Sequence, residues 1–352
     1  MLPSFSTETN SFTTNSIPKS DTIQNIAIKI IEEQIRLLKL ENGPKERTIF
    51  FLGSKGAGKT TAINKFFDRD EQTRPTLALE YSYARKGGTK SRANEKHILN
   101  IWELGCLENS NQLMDVPMRS HDLENFSVFL MLDLSHLNRI WIDLDNALMN
   151  LKRAHKSLVD KEEYEKFREK SLDRVGKDHV DINSLDLFPL PIVIVCGKYD
   201  IFMDFDPEIK KHVCRCLRSV AHYIGASLIF YSQKNPKLTK LLRDTVSHHG
   251  FGSPSNPIRG AQIDYNGPLA VSVGADSWEK IGVPPSSIER IETEFTSEIK
   301  QVKKEAVILQ DPSKDPGFKE SVIDELRQQK DDELQMLLRD SEIRGKFEKI
   351  LN

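Results

Sequence analysis

The run Gly53-Ser54-Lys55-Gly56-Ala57-Gly58-Lys59-Thr60-Thr61 stands between the apolar TIFFL and the helical TAINKFF. Glycine at 53, 56 and 58 suits neither a strand nor a helix interior, so the chain must turn there between two regular elements. Gly53 to Thr60 also satisfies G-x-x-x-x-G-K-[ST] at every fixed position. That spacing has a specific chemistry. Glycine N–H groups wrap phosphate oxygens, and the helix N-terminus adds partial positive charge. Lys59 would reach the β- and γ-phosphates, and Thr60 would ligate Mg2+.

Downstream, short apolar runs alternate with longer polar ones of helical period, which predicts strand-helix units and a largely parallel sheet. Six strands are expected, over residues 48–52, 76–83, 97–104, 126–134, 190–196 and 226–232. A long helix is expected over about 137–170, and another through PEIKKHVCRCLRSVAHYIG, with Ile209, Val213, Leu217, Val220 and Tyr223 on one face. The fold class is therefore α/β, a six-stranded mostly parallel sheet flanked by helices, with helical extensions at both ends.

Residues 1–20 are rich in Ser, Thr and Asn and read as a disordered lead-in, and 21–43 as a helix. The phosphate-loop domain is assigned to 44–252, a packed extension with the short strand PLAVSVG to 253–316, and a helical segment to 317–352. Fifty basic and 52 acidic residues leave a net charge of −2, so no overall excess directs the chain to nucleic acid or a membrane surface. Four cysteines in 352 residues make no disulfide framework, and the lack of an 18-residue apolar run points to the cytoplasm.

After the fifth strand, Gly197-Lys198-Tyr199-Asp200 resembles the N-K-x-D element of guanine-binding proteins, and Ser232-Gln233-Lys234 resembles their S-A-K. Asp200 would accept two hydrogen bonds from guanine, and Lys198 would lie over the ring. The expected ligand is GDP or GTP with Mg2+, held structurally. Turnover needs more: a carboxylate for the metal shell, an N–H that senses the γ-phosphate, and a residue that orients water. Trp102-Glu103-Leu104-Gly105 departs from D-x-x-G, and Cys106, Leu107 and Glu108 supply no water-positioning glutamine. Thr76 is a candidate switch threonine, and Asp133 a candidate magnesium carboxylate for an ATPase or kinase reading, with Arg85 and Arg92 as its lid. His212, Cys214 and Cys216 have metal-like spacing on a helix without further ligands nearby in sequence, and His248-His249 reads as a helix C-terminal cap.

The ordered string FFLGSKGAGKTT, RPTLALEYSYARK, IWELG, LMLDLSHLNRIW, LPIVIVCGKYDIFMDF, RSVAHYIGASLIFYS, GADSWEKIG and QDPSKDPGF resembles the dynein light intermediate chain family, on its dynein-2 branch. It spans residues 48 to 317, about three quarters of the chain. The resemblance implies a Ras-like P-loop G domain, used as a non-catalytic platform on the dynein-2 heavy chain tail. It also implies association with the other dynein-2 intermediate and light chains, indirect contact with intraflagellar transport trains, and a place in the cytoplasm, cytoskeleton and cilium. An ending soon after one charged helix, rather than in a long low-complexity tail, favours that branch. On the resemblance, Gly53, Gly58, Lys59 and Thr60 carry the phosphate loop, and Lys198 and Asp200 the base site. The competing expectation is a regulatory GTPase switch with weak hydrolysis.

Overall fold

The computed structural model describes residues 45–87, 96–108, 110, 112–252, 256–302 and 319–351. The expected lead-in, the 21–43 helix and Arg92 lie outside the described residues. In chain order the elements are β1 (Lys45–Gly53), α1 (Lys59–Phe66), β2 (Leu79–Gly87), β3 (Lys96–Leu104), α2 (Asp115–Ser120) and β4 (Phe126–Asp133). There follow α3 (Leu137–Leu158), α4 (Lys161–Val175), β5 (Ile192–Gly197), α5 (Tyr199–Phe202), α6 (Pro207–Ile224), β6 (Ser227–Phe230) and α7 (Pro236–Phe251). Last come β7 (Ala261–Gln262), β8 (Ala270–Val271), α8 (Trp278–Ile281), α9 (Ile288–Glu298) and α10 (Ser321–Leu351).

The strands form one sheet in the order β2-β3-β1-β4-β5-β6-β8-β7. Neighbours from β1 through β4 and β5 to β6 run parallel, and β8 adds to β6 antiparallel. Every residue of β4 and β5 is buried, because helices cover both faces and leave no position for a polar alternation. Along β1 and β4 alternate residues serve two apolar layers. Phe50, Leu52, Val128 and Leu130 face α3 and α6, whereas Ile49, Phe51, Phe129 and Met131 face α1 and α7.

The structure departs from expectation in several places. The helix expected over 137–170 is two helices, broken where the Asp160 carboxylate accepts from the N–H of Glu163 and caps α4. The second strand starts at Leu79 rather than Thr76. On α6, Val213, Leu217 and Val220 are buried as expected, but Ile209 lies at the exposed first turns. His249 is not a cap: its ring packs edge-on against Phe129, its Nδ1 meets Ser127 Oγ at 3.1 Å, and burial pulls its pKa down to about 3.

Residues 256–302 share the main core. β8 extends the sheet, Trp278 and Phe295 are buried, and Phe295 lies on Trp141 of α3. Arg218 of α6 forms two hydrogen bonds to Asp276, at 2.8 and 2.7 Å, within a buried pair. In α10, by contrast, no side chain from Ser321 to Ser341 is buried.

Candidate nucleotide site

The loop leaves β1 where Gly53 passes Met131 of β4 so closely that a Cβ would lie 2.4 Å from the Met131 carbonyl oxygen. Gly56 and Gly58 hold φ of 84° and 93°, a region that glycine enters without cost. Lys59 opens α1 and is 4% exposed. Its ammonium donates to the carbonyls of Gly53 (3.0 Å), Ser54 (2.9 Å) and Gly105 (3.3 Å). All three acceptors are neutral, and burial lowers the Lys59 pKa against the opposing pull of Glu103. A buried ammonium without a contacting carboxylate fits an anion, so the donor set suits a phosphate.

Thr60 Oγ1 donates to Glu103 Oε1 at 2.6 Å, which joins the expected magnesium ligand to the carboxylate at the end of β3. Burial raises the Glu103 pKa, while Thr60 and Lys59 pull it down. Beyond it, the N–H of Gly105 donates to the carbonyl of Ala78 at 2.7 Å. Glu108 is drawn to Arg139 Nη2 at 2.6 Å, and the same guanidinium reaches Asp143 at 3.2 Å. Asp143 accepts from the Ser54 side chain, so α3 braces the phosphate loop. The sequence reading missed Arg139 and Asp143. Their i,i+4 spacing is visible, but nothing local says that they reach a loop some ninety residues upstream.

At the proposed base site the two motifs meet. Asp200 Oδ1 accepts from Ser232 Oγ at 2.7 Å and its Oδ2 pairs with Lys234 at 2.8 Å. The Lys234 and Ser232 hydrogen bonds hold the Asp200 carboxyl below its ordinary range. Lys198 stands beside this pair. It caps α5 in a left-handed conformation, with its ammonium 2.6 Å from Asp133 Oδ2. Asp133 also accepts from the N–H and hydroxyl of Ser135, and burial's upward push on its pKa is overcome by these donors. It therefore acts as a turn cap in the described structure, with Lys198 as its counter-charge. Thr76 donates to Glu80 at 3.1 Å. Gly197 stands where an asparagine would, and a Cβ there would lie 3.1 Å from the Ala57 carbonyl oxygen, so the loop packs directly on β5.

A phosphate loop between the first strand and first helix of a mostly parallel sheet, with base-site motifs after β5 and β6, defines a Ras-like P-loop domain. Its fold is similar to the "Crystal Structure of the Dynein Light Intermediate Chain's Conserved Domain", with a TM-score of 0.51 and 19% identity over 78% of this chain and 95% of that one. The sequence profile of the dynein light intermediate chain (DLIC) family matches residues 24–184. Cytoplasmic dynein 2 light intermediate chain 1 of Mus musculus is 40% identical over 84% of this chain and 88% of its own length, and that of Homo sapiens is 37% identical over the same shares. The chain belongs to the dynein light intermediate chain family.

Proposed function

We propose that this chain is a non-catalytic subunit of the dynein-2 motor, whose Ras-like domain docks on the heavy chain tail and holds a guanine nucleotide as a structural ligand. Its place would be among the other dynein-2 intermediate and light chains, serving retrograde intraflagellar transport in cilia. The likeness to dynein-2 light intermediate chains over most of the sequence supports the assembly. The observation that carries the non-catalytic reading is Gly105. The N–H that would sense a γ-phosphate is hydrogen-bonded to Ala78, and Cys106 and Leu107 follow it with no group to orient water.

When bound, the nucleotide would bring an anion to Lys59 and a magnesium ion to Thr60 and Glu103. Each residue then has a positioning task. The loop N–H groups and Lys59 bind phosphate, Thr60 and Glu103 orient the metal shell, and Ser232 and Lys234 keep Asp200 ionised for a base edge. The test is chemical analysis of the nucleotide released on denaturing the purified full-length chain, its single-turnover hydrolysis against Lys59→Ala, and co-purification with a dynein-2 heavy chain tail. Guanine nucleotide near one equivalent, no turnover above the Lys59→Ala level and co-purification are expected. Turnover abolished by Lys59→Ala would instead establish a GTPase switch.

A further inference from the structure

Two sets of three metal-ligating side chains come together among the described residues. In the first, His179, Asp181 and His222, the donor atoms are already engaged. His179 contacts the carbonyl of Asp276 and the N–H of Asp181 through its two ring nitrogens, and Asp181 Oδ2 accepts from the N–H of Trp278 and meets His222. That set is a structural network that fastens the start of α8.

The second set is different. His212 and Cys216 are one turn apart on α6, and Glu294 comes from α9, 78 residues further along by number. None of their ligand atoms bonds to backbone in the described structure. His212 Nε2 lies 3.8 Å from Cys216 Sγ, and all three donor atoms lie within 4.8 Å of one another. Tetrahedral zinc, with Zn–S of about 2.3 Å and Zn–N of about 2.05 Å, would separate a sulfur and a nitrogen ligand by about 3.5 Å. The pair is therefore close to the required span before any metal enters. One thiol, one imidazole and one carboxylate form a borderline-soft set, suited to zinc rather than to magnesium or calcium.

We propose that His212, Cys216 and Glu294 form a zinc site that clamps α9 to α6, and that Arg215 occupies the carboxylate when the metal is away. Arg215 Nη2 lies 2.6 Å from Glu294 Oε1 and 3.5 Å from His212 Nδ1. Zinc on Nε2 requires the proton on Nδ1, which a guanidinium donor opposes, so loading displaces Arg215 from both partners. Arg215 is free to leave because its side chain is 37% exposed and borders an open groove of about 880 Å³. A water would complete the four-coordinate shell. Binding takes the sulfur as thiolate and releases the Cys216 proton to solvent. The site is remote in sequence from the phosphate loop and does not depend on nucleotide.

The test is titration of the full-length chain with Zn2+ against a competing chromophoric chelator, and with Co2+ as a spectroscopic probe. One equivalent should bind, with a thiolate-to-cobalt charge-transfer band. Loss of an outer-shell partner alone costs about 10- to 100-fold in affinity, so Cys216→Ser and Glu294→Gln should each weaken Zn2+ by at least about tenfold, and Cys216→Ser should abolish the band. Arg215→Met should tighten Zn2+ by about two- to fivefold, the worth of a half-exposed ion pair. Glu294→Gln is half-exposed and carries the comparison if Cys216→Ser unfolds. No cobalt band in the unaltered chain, a band that survives Cys216→Ser, or Arg215→Met with unchanged affinity would overturn the assignment.

Discussion

The N–H of Gly105 donates to the carbonyl of Ala78 at 2.7 Å, and the Gly105 carbonyl accepts from Lys59 at 3.3 Å. One residue thus ties the segment leading into β2 to the buried lysine of the phosphate loop. A Cβ on residue 105 would lie 2.5 Å from the Thr76 carbonyl oxygen and 2.8 Å from that of Leu77, so only glycine allows this approach. Gly105→Ala should destabilise the domain by about 1–3 kcal/mol, the usual cost of forcing atoms into a filled site. Urea denaturation should show a lower midpoint with an unchanged slope, and limited proteolysis should open first near Thr76.

Lys59 is buried among neutral carbonyls, and a phosphate would supply the missing negative charge. A ligand that binds only the folded state adds RT ln(1 + [L]/Kd), about 2.7 kcal/mol at a hundredfold excess over Kd. Adding GDP and Mg2+ should raise the Tm of nucleotide-stripped protein. Lys59→Ala should fold and show no such rise. An equal rise in both proteins would remove Lys59 from the binding reading.

His155 is fully buried against the rings of Tyr164 and Phe167, and neither ring nitrogen has a hydrogen-bond partner among the described residues. Burial lowers its pKa to about 4, below the 6.5 of an unfolded chain. The unfolded state therefore binds the extra proton first, so stability is complete above pH 6.5 and falls as pH drops toward 4. The loss across that window is on the order of 3 kcal/mol from this one group. His155→Leu should make this part of the stability-pH curve less steep, with buried His249 keeping a slope of the same sign, and be neutral or stabilising at pH 7, because it removes unpaired buried polar atoms. Denaturant melts at pH 7.5, 6 and 4.5 would show whether the slope depends on His155.

Much of the architecture was legible because the central strands are buried on both faces and so read as unbroken apolar runs. The phosphate loop was legible because its glycines answer to local backbone geometry. PLAVSVG marked β8, but the two exposed residues of β7 carry no pattern at all. The break at Asp160 had a local sign, an acid three residues before Glu163, lost within a dense run of mixed charge. What stayed hidden is long-range pairing. Asp133 meets Lys198 across 65 residues, and Cys216 meets Glu294 only because α9 folds back on α6. Spacing along a chain gives no information about such partners.

Arg218 and Asp276 illustrate the energetic weight of one such pairing. With side chains 8% and 4% exposed and two hydrogen bonds between them, removal of either leaves a charge buried without its counterpart. Arg218→Met or Asp276→Leu should each cost about 3–5 kcal/mol, whereas the two together should recover much of the loss. A double-mutant cycle by chemical denaturation checks this. Additive losses would mean that the pair does not act as a unit.

The long helix α10 presents Leu326, Leu334 and Leu337 at 55%, 55% and 61% exposure, among many charges. Apolar side chains left this accessible on a helix contribute nothing to the sheet core, so replacing them should leave domain stability within about 0.5 kcal/mol of the parent. If α10 is the surface that receives the heavy chain tail, burying three leucines there would yield roughly 1.5–3 kcal/mol each, and an aspartate would reverse each contribution. The triple variant Leu326→Asp, Leu334→Asp, Leu337→Asp should therefore keep its Tm and lose co-purification with a dynein-2 heavy chain tail. Retained binding at an unchanged Tm would move the docking surface off these three leucines.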